Sequence, residues 1–379
     1  MKLPTFKLEK YFDRHEFHAP YILCGSDNEP LKMRELLAMA DEESLELWES
    51  LSLGYTPVPG APLLRKEIAK LYQNIGEREI GTFAGAEEAI FAAMSVIVRP
   101  GDHVIVPTPC YQSLSTLPKE LGAEVSLLPL KERSGGWVFE VEDLIKLVTP
   151  KTRLIVINFP HNPTGVHIDR KTLERIVECA KSTGAYLLSD EVYRFSEHRS
   201  PTSLIAAADL YEKAISLGVM SKTFGLAGLR IGWLATKDSE LLEECLDYKF
   251  YLSICNSGPS EILALMALRA KERILERNLN IIRRNLELLD RFFEKYPKLF
   301  AWKRPTAGST AFPKLLAQMP IREFTDDLVS REGVMLLPGS VYEISGNYFR
   351  LGFGRKDMPE ALNRLERYVK HRFQDRSDY

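Results

Sequence analysis

Residues 221–232 read Ser-Lys-Thr-Phe-Gly-Leu-Ala-Gly-Leu-Arg-Ile-Gly and place one lysine, three glycines and one arginine within twelve positions. Apolar runs flank them, Ala214–Met220 before and Trp233–Ala235 after, and both read as buried strands. A lysine between buried strands loses hydration, so its ammonium form becomes costly. That is the condition for an amine nucleophile that condenses with a carbonyl. The glycines let backbone approach a bulky group, and Arg230 offers a fork for an anion such as phosphate. Taken alone, a loop lysine is usually a solvated side chain, so its neighbours must decide.

Five further places carry suitable groups. Gly85-Ala86-Glu87 follows an apolar run and opens a helix, a backbone N–H arrangement that suits an anion or simply a tight connection. Tyr111 follows a strand and can stack on a flat heterocycle or pack into a core. Asn162 begins Asn-Pro-Thr-Gly, a turn former in its own right. Asp190 ends a buried strand in Ser-Asp-Glu-Val-Tyr, where a carboxylate is costly unless paired. Arg350 in Phe-Arg-Leu-Gly is either a carboxylate clamp or a surface ion pair.

In this order and combination the motifs resemble the class I/II aminotransferases, the aspartate aminotransferase-like enzymes of fold type I that depend on pyridoxal 5'-phosphate (PLP). The resemblance runs from Tyr55 to Arg350 and implies a role for each position. Lys222 forms the internal Schiff base and is the catalytic acid and base. Ala86, Glu87, Ser221 and Arg230 hold the cofactor phosphate, and Tyr111 stacks on the ring. Asn162 and Tyr193 donate to the phenolic oxygen. Asp190 keeps the ring nitrogen protonated, which makes the ring an electron sink. Arg350, with Asn162 and Gly25, binds the substrate α-carboxylate. Tyr55 reaches the phosphate of a neighbouring subunit, which implies a homodimer with shared active sites. Val219 departs from the family's Ser or Gly, and Ser221 compensates for the missing phosphate contact. Glu191 and His161 receive no role.

The implied reaction moves an amino group between an L-amino acid and a 2-oxo acid. The alternative keeps the cofactor and changes the outcome to β-elimination or to cyclisation, as in capreomycidine synthase; the lysine motif is also close to that of 1-aminocyclopropane-1-carboxylate synthase. A non-catalytic binding domain is a third reading, and the intact Lys222 opposes it. Within Gly25-Ser26-Asp27-Asn28-Glu29-Pro30, Asp27 and Glu29 either face a cationic side chain or cap the next helix, capping being the simpler reading. No arginine stands out for a distal carboxylate, and Ser309 and Thr310 give no signal.

These groups need a scaffold. Apolar strands at 102–107, 124–129, 153–158 and 185–190 alternate with helices at 112–121, 141–147 and 171–182. The pattern predicts a mostly parallel sheet covered on both faces, with ligands outside the strands' carboxyl ends. The resemblance extends this to a seven-stranded sheet in a three-layer α/β sandwich with a smaller α+β C-terminal domain. The expected division is 1–45 as an N-terminal segment packing on the small domain, 46–265 as the large PLP domain and 266–379 as the small domain. Residues 260–295 read as one long charged helix, 302–312, 333–337 and 348–353 as strands, and 358–373 as a closing helix. Residues 1–45 read as irregular apart from a strand at 21–25 and a helix at 34–39.

Composition narrows the class. The 379 residues are 45% hydrophobic and 27% charged, with a net charge of −2, which lacks the basic footprint of a nucleic-acid binder. Five scattered cysteines include no C-x-x-C pair, which favours a reducing compartment and no metal site. No apolar run approaches the ~18 residues of a membrane span, and the N-terminal residues lack a signal-peptide core. A cytoplasmic enzyme is expected.

Overall fold

Runs of valine, isoleucine and leucine build the centre of the molecule. In a computed structural model, which describes residues 2–134, 136–199 and 203–374, seven strands form one sheet. They are β1 (Ile80–Phe83), β2 (His103–Thr108), β3 (Glu124–Pro129), β4 (Thr152–Asn158), β5 (Tyr186–Asp190), β6 (Ala214–Val219) and β7 (Gly232–Thr236). Their order is β1-β7-β6-β5-β4-β2-β3, and only β7 runs antiparallel to its neighbours. Six helices matter below: α1 (Lys7–His15), α2 (Ala86–Ile97), α3 (Arg170–Thr183), α4 (Gly258–Arg269), α5 (Lys271–Lys295) and α6 (Met358–Val369).

The strand pleat sorts the apolar side chains onto two faces. Val104, Val106, Leu154, Val156 and Leu188 pack with Ala89, Ala92 and Ala93 of α2. Ile105, Ile155, Ile157 and Leu187 point the other way, against Leu173, Ile176 and Val177 of α3. Each such valine, leucine or isoleucine contributes roughly 1.5–3 kcal/mol on full burial. Asp169 caps α3 by accepting from the Thr172 amide at 2.8 Å, and Gly184 ends it in the left-handed conformation at φ 68°.

Register decides where the chemistry gathers. Asn158 pairs with Asp190 and Asp190 with Leu217, so β4, β5 and β6 end together. Gly232 lies between Phe83 and Val219, so antiparallel β7 enters from that same edge. The segments after β1, β2, β4, β5 and β6, and the one before β7, therefore converge.

A second core surrounds β8 (Thr310–Ala311), β9 (Leu337–Pro338) and β10 (Phe349–Gly352), an antiparallel sheet with β10 in the middle. Leu286, Leu289 and Phe293 of α5 and Leu365 of α6 pack against Phe349, Leu351 and Phe353 there. The start of α5 belongs elsewhere, since Ile274 packs with α4. The N-terminal residues divide similarly: Leu8, Tyr11 and Leu23 join the clusters around β9 and β10, and Leu36 joins that of α4.

Three expectations need correction. Residues 260–295 are not one helix, because α4 ends at Arg269, Ala270 separates it from α5, and Leu263–Leu268 are buried, unlike a charged surface helix. Within 302–312 only Thr310–Ala311 is strand, interrupted upstream by Pro305 and by Gly308 at φ 74°. The first 45 residues are more ordered than their composition suggests: α1 and Met33–Leu37 are helical, and a third helix starts at Glu42. The short strand at Tyr21–Ile22 is present and pairs with Val334–Met335.

Candidate active site

The lysine loop is pinned before it is chemical. Past β6 the chain turns on Met220, whose amide donates to Ile231 O at 2.9 Å and whose carbonyl accepts from Leu226 at 2.9 Å. Thr223 O accepts from Asn28 Nδ2 at 3.0 Å and from Asn278 Nδ2 at 2.9 Å. Gly225, at φ 69°, lies so close to Glu29 that a Cβ would meet its carbonyl oxygen at 2.8 Å. Held in this way, Lys222 Nζ donates to Ser26 Oγ at 2.9 Å. Lost hydration depresses the Lys222 pKa and Arg350 adds to the effect, while the charges of Asp27, Glu9 and Asp190 oppose it.

Lys222 opens into a cavity of about 550 Å³. Gly25, Ala86, Glu87, Tyr111, Asn162 and Asp190 line it, as do Tyr193, Ser221, Arg230 and Arg350. Every expected site residue is thus brought together except Tyr55. That side chain is 89% exposed and lies away from the cavity. Its loop is tied down by Lys249, whose Nζ donates to Val58 O at 2.6 Å and Thr82 O at 2.7 Å.

The Asp190 carboxylate is buried and accepts from the Val192 amide at 3.2 Å. Burial lifts its pKa to about 7. Asn158 braces this end of the sheet: its Nδ2 donates to Asp190 O at 3.0 Å and its Oδ1 accepts from the Asn162 amide at 2.9 Å. Tyr193 is 2% exposed and its hydroxyl has no partner among the described residues. An orphaned buried hydroxyl is costly, and this one lines the cavity. Glu191 faces elsewhere, accepting from Ala207 N at 2.9 Å and Ser216 Oγ at 2.8 Å. His161 is buried, with its pKa lowered to about 3, and its Nδ1 meets Thr164 Oγ1 at 2.8 Å.

At the far end of the cavity, α2 begins with free first-turn amides. Gly85 precedes it at φ 93°, and a Cβ there would overlap the Arg230 guanidinium. A Cβ on Gly232 would come within 2.8 Å of the Ala86 nitrogen. The cradle between Arg230 and the α2 N-terminus thus exists only because both positions lack side chains. A helix N-terminus facing an arginine suits a phosphate. A buried acid for a ring nitrogen, an orphaned hydroxyl for a phenolic oxygen and a dehydrated amine for an aldehyde complete a donor set that fits PLP.

Arg350, in the middle of β10, is 2% exposed. Its guanidinium donates to Cys24 O at 3.0 Å, Asn162 Oδ1 at 3.2 Å and Tyr342 Oη at 2.7 Å, and it sits 5.6 Å over the Phe12 ring.

Several groups escaped the sequence reading: Ser26, Glu9, Phe12 and Glu16, which line the cavity, and Tyr342, which bonds Arg350. The spacing of Glu9, Phe12 and Glu16 on one helical face was a usable signal. Ser26 and Tyr342 had none, being joined to Lys222 and Arg350 only by the fold. Capping by Asp27 or Glu29 is also corrected. Asp27 pairs with Arg355 at 2.7 Å and lines the cavity, and Glu29 accepts from the Lys356 amide at 2.9 Å.

The sheet order, the half-buried lysine after β6 and the acid ending β5 define a PLP-dependent enzyme of fold type I. The chain belongs to the class I and II aminotransferases, whose family model matches residues 26–365. A solved PLP-dependent aminotransferase from Streptococcus suis is 36% identical with a TM-score of 0.91, over 98% of this chain and 99% of that one. Capreomycidine synthase of Streptomyces vinaceus is 30% identical over 93% of this chain and 90% of its own length. Arginine–pyruvate transaminase of Pseudomonas aeruginosa is 30% identical over 82% of this chain and 81% of its own. No helix among the described residues is long and apolar enough to cross a membrane.

Proposed function

We propose that this chain transfers an amino group between an L-amino acid and a 2-oxo acid, with PLP held by Lys222. The observation that carries the reading is the position of Lys222 Nζ in one cavity with the buried Asp190 and the orphaned Tyr193 hydroxyl. When bound, PLP delocalises the electron pair left at the substrate α-carbon. Arg230, Ser221 and the amides of Ala86 and Glu87 would hold its phosphate, and Tyr111 would lie against the ring. Asp190 would keep a proton on the ring nitrogen, and Tyr193 and Asn162 would donate to the phenolic oxygen. Arg350, beside Asn162 and the Gly25 backbone, grips the α-carboxylate and fixes which bond faces Lys222. Lys222 Nζ would take the α-proton and carry it for return at the former aldehyde carbon, with Ser26 Oγ as its resting partner. Helix α1 covers the site and excludes water.

The dimer belongs to this reading. Tyr55, Leu53 and Tyr251 are each at least 85% exposed. The Thr56 hydroxyl reaches Asn256 O at 2.9 Å, which joins the loops carrying them. A contiguous apolar patch marks an interaction surface, and a second copy placed there brings Tyr55 to its partner's phosphate site. We further propose a large domain and a small one that divide inside α5, past Ile274, rather than at 265, with the 1–45 segment shared between them. Four of the five free cysteines are buried, which suits a reducing cytoplasm.

Similarity to capreomycidine synthase supports the second reading, cyclisation or β-elimination. One experiment separates them. Incubated with amino donor alone, a transaminase leaves its cofactor as pyridoxamine 5'-phosphate and releases a 2-oxo acid, both measurable by chromatography. A lyase or cyclase leaves the cofactor as PLP, and that result overturns the first reading.

A further inference from the structure

The charges lining the cavity do not balance. Its cations are Lys222, Arg230 and Arg350. Its acids are Glu9, Glu16, Asp27, Glu87 and Asp190. On the proposed reading, on which this inference rests, the three cations are committed to the cofactor aldehyde, the phosphate and the substrate α-carboxylate. Asp190 is committed to the ring nitrogen, and Glu87 sits at the phosphate end, bonded by the Ser113 hydroxyl. What remains is one wall: Glu9 and Glu16 from the α1 segment, with Asp27 beside them.

These acids are differently placed. Asp27 is neutralised by Arg355 at 2.7 Å. Glu9 accepts from the Tyr111 hydroxyl at 2.9 Å. The Glu16 carboxylate has neither a hydrogen bond nor an ion pair among the described residues, and it is partly buried. Burial raises its pKa, and the neighbouring charges of Asp27 and Glu9 push the same way, against Arg355 and Lys222. A cation arriving there would relieve that repulsion. The cavity is built to receive a ligand, since the Tyr193 hydroxyl, 2% exposed, also opens into it without a partner. No lining cation is left over for a second carboxylate on the substrate.

We infer that Glu16 and Glu9 select amino donors whose side chain ends in a cation, an amine or a guanidinium, and disfavour dicarboxylic ones. Arg350 takes the α-carboxylate of such a donor, and the α1 segment takes its far end. Glu16 is the specificity-determining residue, because it alone of the three has no other partner.

The test uses the PLP-loaded full chain and follows perturbation of the cofactor absorbance band, which reports donor engagement whether transfer, elimination or cyclisation follows. L-Arginine and L-ornithine should half-saturate the change at concentrations roughly tenfold or more below those of L-citrulline and L-glutamate. The ratio should shrink as salt rises, through screening. Glu16→Gln should reduce the arginine-to-citrulline ratio by roughly tenfold. Should that variant not fold, Glu9→Gln and the salt series carry the same readout. A loaded protein that engages L-glutamate or L-citrulline as readily as L-arginine overturns the substrate assignment and leaves the cofactor reading standing. An unchanged ratio in both variants does the same. A chain that binds no PLP overturns both.

Discussion

Arg350 and Asn162 meet at 3.2 Å, guanidinium to side-chain oxygen, across the join between β10 and the loop that follows β4. Tyr342 Oη completes the triangle, accepting from Arg350 at 2.7 Å and donating to Asn162 Oδ1 at 3.3 Å. Arg350 is therefore oriented from the C-terminal sheet and Asn162 from the end of the central one. Tyr342→Phe removes one partner of a buried cation, about 1.5–3 kcal/mol. Steady-state kinetics should show KM for the amino donor rising by roughly tenfold or more, with a smaller change in kcat.

Asp190 governs a pH effect. Its folded pKa, about 7, lies above the ordinary aspartate value of 3.8, so the folded apoprotein binds more protons than the unfolded chain between these values. Apoprotein stability contributed by this group is therefore full below the unfolded pKa and is lost as pH rises through about 7. A protonated ring nitrogen offsets that loss by pairing with the carboxylate. The Tm gain on adding PLP should therefore be larger at pH 8 than at pH 5. Asp190→Asn should flatten this dependence and lower kcat by at least about a hundredfold. A Tm gain independent of pH in the parent protein would contradict this assignment.

Gly85→Ala tests the phosphate cradle. At φ 93° alanine is strained, and its Cβ would displace the Arg230 guanidinium. PLP affinity, followed by fluorescence quenching, should weaken by roughly tenfold or more, and backbone strain should cost about 1–3 kcal/mol of stability. Affinity unchanged in a folded variant would remove Arg230 and the α2 amides from the phosphate site.

Tyr55 tests the assembly. At 89% exposure its removal should cost a lone chain almost nothing. If a partner's phosphate depends on it, Tyr55→Phe should weaken PLP binding by a few-fold, the worth of about one hydrogen bond, with the apoprotein Tm unchanged. Sedimentation should give a dimer, and Leu53→Asp with Tyr251→Asp should dissociate it. A monomer that binds PLP fully would refute the shared site.

Much of this was legible in the chain. The strands announce themselves because β4 and β6 are buried on both faces, and Lys222 and Asp190 sit directly after or at the end of such runs. Contacts made by distant partners were not legible. Ser26 meets Lys222 across 196 residues, and Asp27 meets Arg355 across 328. Helix α1 was obscured for another reason: its buried side chains, Leu8 and Tyr11, are few among charged neighbours. The spacing of Glu9, Phe12 and Glu16 puts them on one face of the α1 segment, but only the fold turns that face toward the cavity. The sequence likewise placed Tyr55 in a motif, but its exposure became meaningful only when the cavity was found elsewhere.

The central claim is a covalent cofactor at one amine. Borohydride reduction of the PLP-loaded protein, followed by protease digestion and mass spectrometry, should place a phosphopyridoxyl group on the peptide containing Lys222 and abolish the absorbance band. Lys222→Ala should bind PLP without forming that adduct. An adduct on another lysine, or none from a loaded and folded chain, would contradict the account.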